Sequence, residues 1–110
     1  GFMSAFRLLS ETPSERRFLV TPGMIELGHK QFELNRDIAK AAAKIADYVI
    51  IVGKINQKSL TEGFKEIYGS DYTAKVFEAP DLEAAKSKLS ELTIPNSAVL
   101  LENDLPDHYF

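Results

Sequence analysis

"RRFLVTPGMIELGHK", residues 16–30, decides how the rest of the chain is read. Its first half, "RRFLVT" (16–21), is an apolar, β-branched run of strand length. Its second half packs a proline, two glycines and one carboxylate, Glu26, into a connection that ends at a helical pattern from about residue 29. Strand, glycine-bearing turn and helix in that order open a βαβ unit, in which the helix carries the chain back so that the next strand lies parallel to the first.

Working outward, three more strand-like runs follow: "DYVIIVG" (47–53), "TAKVF" (73–77) and "SAVLLE" (97–102). The second and fourth runs are continuously apolar, as strands covered on both faces are. Helical periodicity fills the gaps. Over about 29–46, Phe32, Ile38, Ala39, Ala42, Ile45 and Ala46 form one stripe, and Glu33, Arg36, Asp37, Lys40 and Lys44 fall elsewhere. Over about 59–68, Ser59 and Glu62 have the spacing of a capping box, Leu60, Phe64 and Ile67 supply the buried face, and Gly69 stands where a C-terminal glycine belongs. Over about 81–92, Asp81 is the expected N-cap and Leu82, Ala85, Leu89 and Leu92 the stripe. An amphipathic helix, with Phe2, Phe6 and Leu9 on one face, precedes the first strand. The alternation predicts an α/β fold, a three-layer Rossmann-like open sheet. It should be mostly parallel, with about four to six strands and helices on both faces, and "NDLPDHYF" (103–110) could add an edge piece.

The bulk numbers set limits. A chain of 110 residues, 45% hydrophobic and 26% charged, makes one ordinary globular domain. A net charge of −3 with no lysine- or arginine-rich run gives no electrostatic footprint for nucleic acid or an anionic membrane. No apolar stretch has the roughly 18–20 residues a membrane span needs. The absence of cysteine excludes disulfides and thiolate metal sites and fits a reducing, cytoplasmic setting.

In an open parallel sheet, ligands gather outside the carboxyl ends of the strands. That rule selects the loops 21–28, 53–58, 78–81 and 102–107, and with them Thr21, Glu26, Lys54, Asn56, Glu102, Asn103, Asp104 and Asp107. Gly23 and Gly28 suit a positive-φ turn and close helix–sheet packing, and Glu26 would favour the positive end of the following helix. His29 and His108 lack a second histidine at ligand spacing and read as surface residues, so no metal site is expected. "VGKIN" (52–56) has a Gly-Lys pair without the upstream glycine or following Ser/Thr of a P-loop, and no G-x-G-x-x-G follows the first strand. The sheet therefore has ligand-facing loops and no complete active site of its own.

Taken together, "RRFLVTPGMIELG", "ADYVIIVG", "SLTEGFKEIYG", "VFEAPDLEAAKSKL" and "AVLLE" resemble the C-terminal domain of the Mur ligases, nearest to the members that add D-alanyl-D-alanine. The resemblance runs from about Phe2 to Glu102, and "G-M-x-E-L-G" is its most specific element. It implies one domain, residues 1–110, of a larger three-domain, ATP-dependent, amide-bond-forming enzyme of peptidoglycan precursor synthesis. ATP and Mg²⁺ would be held by the central domain and the UDP-sugar peptide by the N-terminal one. This domain would help to bind the incoming amino acid or dipeptide and close over the acyl-phosphate site.

Residue by residue, Gly23, Met24, Glu26, Leu27 and Gly28 match the family's loop after the first strand. The resemblance implies substrate contacts at Gly23, Met24, Glu26 and Gly28, joined by Thr21, Asn56, Glu102, Asn103 and Asp104 of the same rim, and an interdomain, phosphate-facing role for Arg17. Two departures stand out. Asn35 occupies a position where the family often has histidine. The family's closing "K-G-S" turn is replaced by "ENDLPD" (102–107), which reverses the local charge and favours an acceptor that presents an amine or amide, or that binds a metal. A fragment that closes on partner domains should have a polar strand-end rim and no large apolar patch on its helices. Two alternatives remain: a non-catalytic α/β module binding a small ligand or a protein, and a small hydrolase or metal-dependent enzyme using Glu26, Glu102 and Asp104.

Overall fold

The computed structural model describes residues 1–102. Four strands, β1 (Arg16–Thr21), β2 (Tyr48–Val52), β3 (Val76–Ala79) and β4 (Ser97–Leu101), form one all-parallel sheet in the order β3-β2-β1-β4. The helices are α1 (Phe2–Glu11), α2 (Gln31–Ala43), α3 (Gln57–Tyr68), the single turn α4 (Tyr72–Lys75) and α5 (Leu82–Leu92). The expected three-layer, Rossmann-like α/β architecture is present, with four strands among the described residues.

Side chains alternate across the sheet and sort into two cores. Leu19, Val49, Ile51 and Val76 face α1, α2 and α3, where Phe2, Phe6, Ala39, Ala42, Leu60 and Phe64 meet them. Val20, Ile50, Val52 and Ala79 face α5, where Ala85 and Leu89 cover them. The chain runs β1 to β2 to β3 in one direction and then returns past β1 to β4. That reversal puts α5 on the opposite face, as a constant crossover hand requires. Phe18, Val49, Ile50 and Ile51 are fully buried. Each such side chain stabilises the fold by about 1.5–3 kcal/mol relative to exposure.

Several local expectations are corrected. β3 starts at Val76, three residues later than the run 73–77 suggests, because the chain stays helical after Gly69. Gly69 does end α3, at φ 58°, but a 3₁₀ turn (69–71) and α4 follow before the strand begins. There Lys75 lies 5.5 Å from the Tyr68 ring and half-buried Tyr72 packs on the core.

The capping box is absent as well. α3 begins at Gln57, the Ser59 hydroxyl donates back to the Asn56 carbonyl at 3.1 Å, and Glu62 instead pairs with Arg36 of α2 at 3.2 Å. Asp81 behaves as expected, its Oδ1 accepting from the Ala84 amide at 2.8 Å. In α2 the buried stripe is rotated: Phe32 is 42% exposed, and Asn35 is fully buried in the row it was expected to fill. Ile67 is 39% exposed rather than part of the α3 core face.

Candidate functional site

All four strands point the same way, so the loops after β1, β2, β3 and β4 share one pole of the molecule. The order β3-β2-β1-β4 puts the topological switch point between β1 and β4. The two flanking segments are the loop 21–28 and the start of the acidic stretch, whose Glu102 amide donates to the Val20 carbonyl at 3.0 Å. Asn103, Asp104 and Asp107, expected at the same rim, lie outside the described residues, as do His108 and the possible edge piece.

The loop after β1 is held by two buried side-chain amides. Asn35 Oδ1 accepts from the Met24 N–H at 2.8 Å, and Asn35 Nδ2 donates to the carbonyls of Met24 and Gln31, both at 2.9 Å. Asn56 Nδ2 donates to the carbonyls of Pro22 at 3.0 Å and Met24 at 2.9 Å, while its Oδ1 accepts from Gln31 Nε2 at 3.0 Å. Thr21 Oγ1, fully buried, accepts from the Gly23 amide at 3.0 Å. Three segments distant in sequence are thus tied by bonds that satisfy backbone groups no strand or helix reaches.

Gly23 is required by this knot. Its φ is +80°, and a Cβ there would stand 2.6 Å from Asn35 Oδ1 and 2.9 Å from Asn56 Nδ2. The Asn35 and Asn56 side-chain amides thus fill the space directly beside the Gly23 Cα. Gly28 also has positive φ, at 60°, but a Cβ would meet nothing within 4 Å. It therefore serves the turn and not the close packing expected of it.

Of the expected contacts, Thr21, Gly23 and Asn56 are buried and act by shaping the loop. Glu26 and Gly28 are exposed on it. Glu26 has φ 65°, a left-handed conformation that costs a non-glycine residue roughly 1 kcal/mol and tends to mark functional positions. Met24 splits the two roles, its backbone in the knot and its side chain 38% exposed.

Arg17 is not with them. It sits at the entrance end of β1, and its guanidinium donates to the carbonyls of Leu9 at 3.0 Å, Ser10 at 2.9 Å and Thr12 at 3.1 Å. It closes the C-terminus of α1 rather than facing a phosphate.

Beside the knot lies a hollow of about 360 Å³, lined by Gly28, Gln31, Phe32, Lys54, Ile55, Asn56, Lys58 and Ser59. Lys54 and Lys58 are exposed and make no ion pair among the described residues. Phe32 and Ile55, each 42% exposed, give it apolar walls. Lys58, Gln31 and Phe32 were missed from sequence. The signal that could have found them is the positioning of α2 and α3 side by side, which brings both helix starts to the exit pole. A smaller hollow of about 180 Å³ joins Lys54 to Gln57, Glu78 and Pro80. The rim thus carries cations over the β2 exit and carboxylates at Glu26 and Glu102. Among the described residues no three His, Asp or Glu side chains gather as a metal site would need.

The helices depart from expectation. An apolar hollow of about 320 Å³ lies between Met3, Met24, Leu27, Leu34, Ile38 and Ala41, so their outer surface is not polar throughout. No helix among the described residues is long and apolar enough to cross a membrane. No protein-family model matches the sequence, and no curated protein matches it significantly.

Proposed function

We propose that this chain is the acceptor-binding domain of an ATP-dependent, amide-bond-forming ligase of the Mur type, working in the cytoplasm on a peptidoglycan precursor. N-terminal and central domains would supply the UDP-sugar peptide, ATP and Mg²⁺. The observation that carries the reading is the exit-pole rim: a loop fixed by Asn35 and Asn56, displaying a strained Glu26, beside a hollow flanked by Lys54 and Lys58. An amino acid or dipeptide acceptor is a zwitterion. Lys54 and Lys58 suit its carboxylate, while Glu26 and Glu102 suit its amine, so both signs on one rim orient it. Closure on partner domains would then hold the amine in line with an acyl phosphate and exclude water, which is where positioning lowers the barrier. A turn filled by its own amides fits a domain that leaves the nucleotide to a neighbour.

The test is a titration of the isolated chain. D-Alanyl-D-alanine is expected to shift backbone amide resonances within 21–31 and 53–59, with a Kd on the order of 1 mM. Mg·ATP is expected to give no saturable heat. Tight Mg·ATP binding, or dipeptide shifts confined to the entrance pole, would overturn the reading. The alternative, a non-catalytic protein-binding module, is favoured by one observation, the apolar groove between α1 and α2.

A further inference from the structure

The carboxamides of the knot have a fixed polarity, and that polarity reaches the hollow beside it. Asn56 Nδ2 carries two protons, and the carbonyls of Pro22 at 3.0 Å and Met24 at 2.9 Å take them. Carbonyls accept and never donate, so the Asn56 amide has one orientation, with Oδ1 towards α2. There Oδ1 accepts from Asn35 Nδ2 at 3.3 Å and from Gln31 Nε2 at 3.0 Å. Gln31 must present its nitrogen, because two amide oxygens would repel. Gln31 Oε1 is the group left over. It accepts no hydrogen bond among the described residues, it is not buried, and its residue lines the hollow.

Three kinds of group thus meet in that space. Gln31, half-buried, brings an acceptor whose orientation the buried network sets. Lys54 and Lys58 bring cationic donors, and Phe32 and Ile55 the apolar walls. No carboxylate lines it. Glu26 stands two residues before Gly28 at the hollow's edge, up to roughly 7 Å of chain away. In an α-amino acid a single carbon separates ammonium from carboxylate, so such a molecule would bring its amine in beside the lysines. A peptide moves the amine a residue further off and puts a neutral N–H next to the terminal carboxylate. That N–H needs a neutral acceptor, which is what Gln31 supplies.

We infer that the hollow takes the C-terminal residue of a peptide, and that Gln31 is the specificity-determining residue that reads its amide. The terminal carboxylate meets Lys54 and Lys58, and the peptide N–H donates to Gln31 Oε1. The side chain lies against Phe32 and Ile55, and the free amine stays outside, on the Glu26 side. An ester in place of the amide would set its oxygen against Oε1 with no proton between them, and a site built to take a hydrogen bond rejects the analogue that lacks it. The inference rests on the acceptor-binding reading and sharpens it: the acceptor is a peptide, and one side chain distinguishes amide from ester.

The test is an NMR titration of the chain, following the amides of 21–31 and 53–59, with three probes. They are D-alanyl-D-alanine, its ester analogue with oxygen replacing the peptide N–H, and D-alanine. The dipeptide should bind roughly tenfold more tightly than the ester, and D-alanine should bind more weakly than the dipeptide. Gln31→Met keeps the length of the side chain and removes its carbonyl, so dipeptide and ester should then bind alike. Asn56 Oδ1 retains Asn35 as a donor in that variant, and circular dichroism checks that the fold is intact.

A merely structural Gln31 would weaken both probes and preserve their ratio. Equal binding of dipeptide and ester by the parent overturns the inference and leaves the acceptor-binding reading standing, as does a ratio that survives Gln31→Met. D-Alanine binding as tightly as the dipeptide overturns it in the same way. Silence from all three probes removes the acceptor-binding reading and this inference with it.

Discussion

The two poles of the sheet solve the same problem with different residues. At the entrance pole, Arg17 saturates three carbonyls at the end of α1, and the Asp47 carboxylate accepts from the Arg17 amide at 2.8 Å. Tyr68 donates to the Ala46 carbonyl at 2.7 Å. At the exit pole, Asn35 and Asn56 perform the equivalent task for the loop after β1. The difference lies in what is left over. At the entrance pole Arg17 and Asp47 direct their charges to backbone groups. The exit pole satisfies its backbone with neutral amides and leaves Lys54, Lys58 and Glu26 outward, one of them in a strained conformation. A chain that meets its structural needs with uncharged groups keeps its charges free for something else.

The largest effect should come from cutting the exit-pole knot. Asn35→Ala removes the one partner that the Met24 N–H has among the described residues, together with the buried donor to the Gln31 carbonyl, and should destabilise the fold by about 2–4 kcal/mol in denaturant melts. Gly23→Ala should cost a similar amount, because it adds a φ conflict to a collision with the same two amides. A loss below about 1 kcal/mol for both would mean that the knot contributes little and the rim it supports is soft. At the opposite pole, Arg17→Ala should cost less, about 1–2 kcal/mol, because α1 can fray where its carbonyls reach water. It should leave dipeptide-induced shifts at 21–31 unchanged, which separates the poles functionally as well as energetically.

This contrast also explains what could be read from sequence. Strand identity was legible because "FLV" and "VIIV" are buried on both faces and have no other use, and the loop after β1 was legible because proline, glycine and a short length leave a turn few options. Asn35 was not. A polar residue on a helix reads as solvated, and only the β2–α3 loop, brought over it by the fold, supplies the partners that bury it. The same long-range pairing moved the start of α3: Asn56 gives its amide to Pro22 and Met24, so the Ser59–Glu62 spacing never becomes a capping box. Gly63 was hidden for a related reason. It admits Ala39 of α2, whose Cβ would lie 2.6 Å from a Cβ at 63, and nothing within α3 announces that neighbour.

A smaller effect separates the poles by pH. Burial, and after it the Asp47 carboxylate, push the Tyr68 hydroxyl up from its ordinary value of 10.0. The native state therefore keeps this proton at pH values where the unfolded chain releases it. The resulting stability is complete below about pH 10 and declines as pH rises beyond it. Tyr68→Phe should lose about 1 kcal/mol at neutral pH with the Ala46 hydrogen bond, and its stability should fall less steeply than the parent's in alkaline melts. Parallel alkaline slopes for the two proteins would refute this account of the entrance pole.

The smallest effect has the opposite sign and bears most directly on function. Glu26 is exposed and left-handed, and no side-chain hydrogen bond to it exists among the described residues. Glycine accepts that conformation without strain, although it adds freedom to the unfolded chain, so Glu26→Gly should stabilise the fold by about 0.5–1 kcal/mol. If the carboxylate is there to meet an acceptor's amine, the same variant should weaken the dipeptide-induced shifts around the rim while its melting point rises. That pairing of higher stability with poorer binding is what a residue held for ligand produces, and a merely tolerated residue does not. Should the melt improve and the dipeptide response stay the same, Glu26 would be a free carboxylate on a bend, and the exit pole would differ from the entrance pole only in which side chains close it.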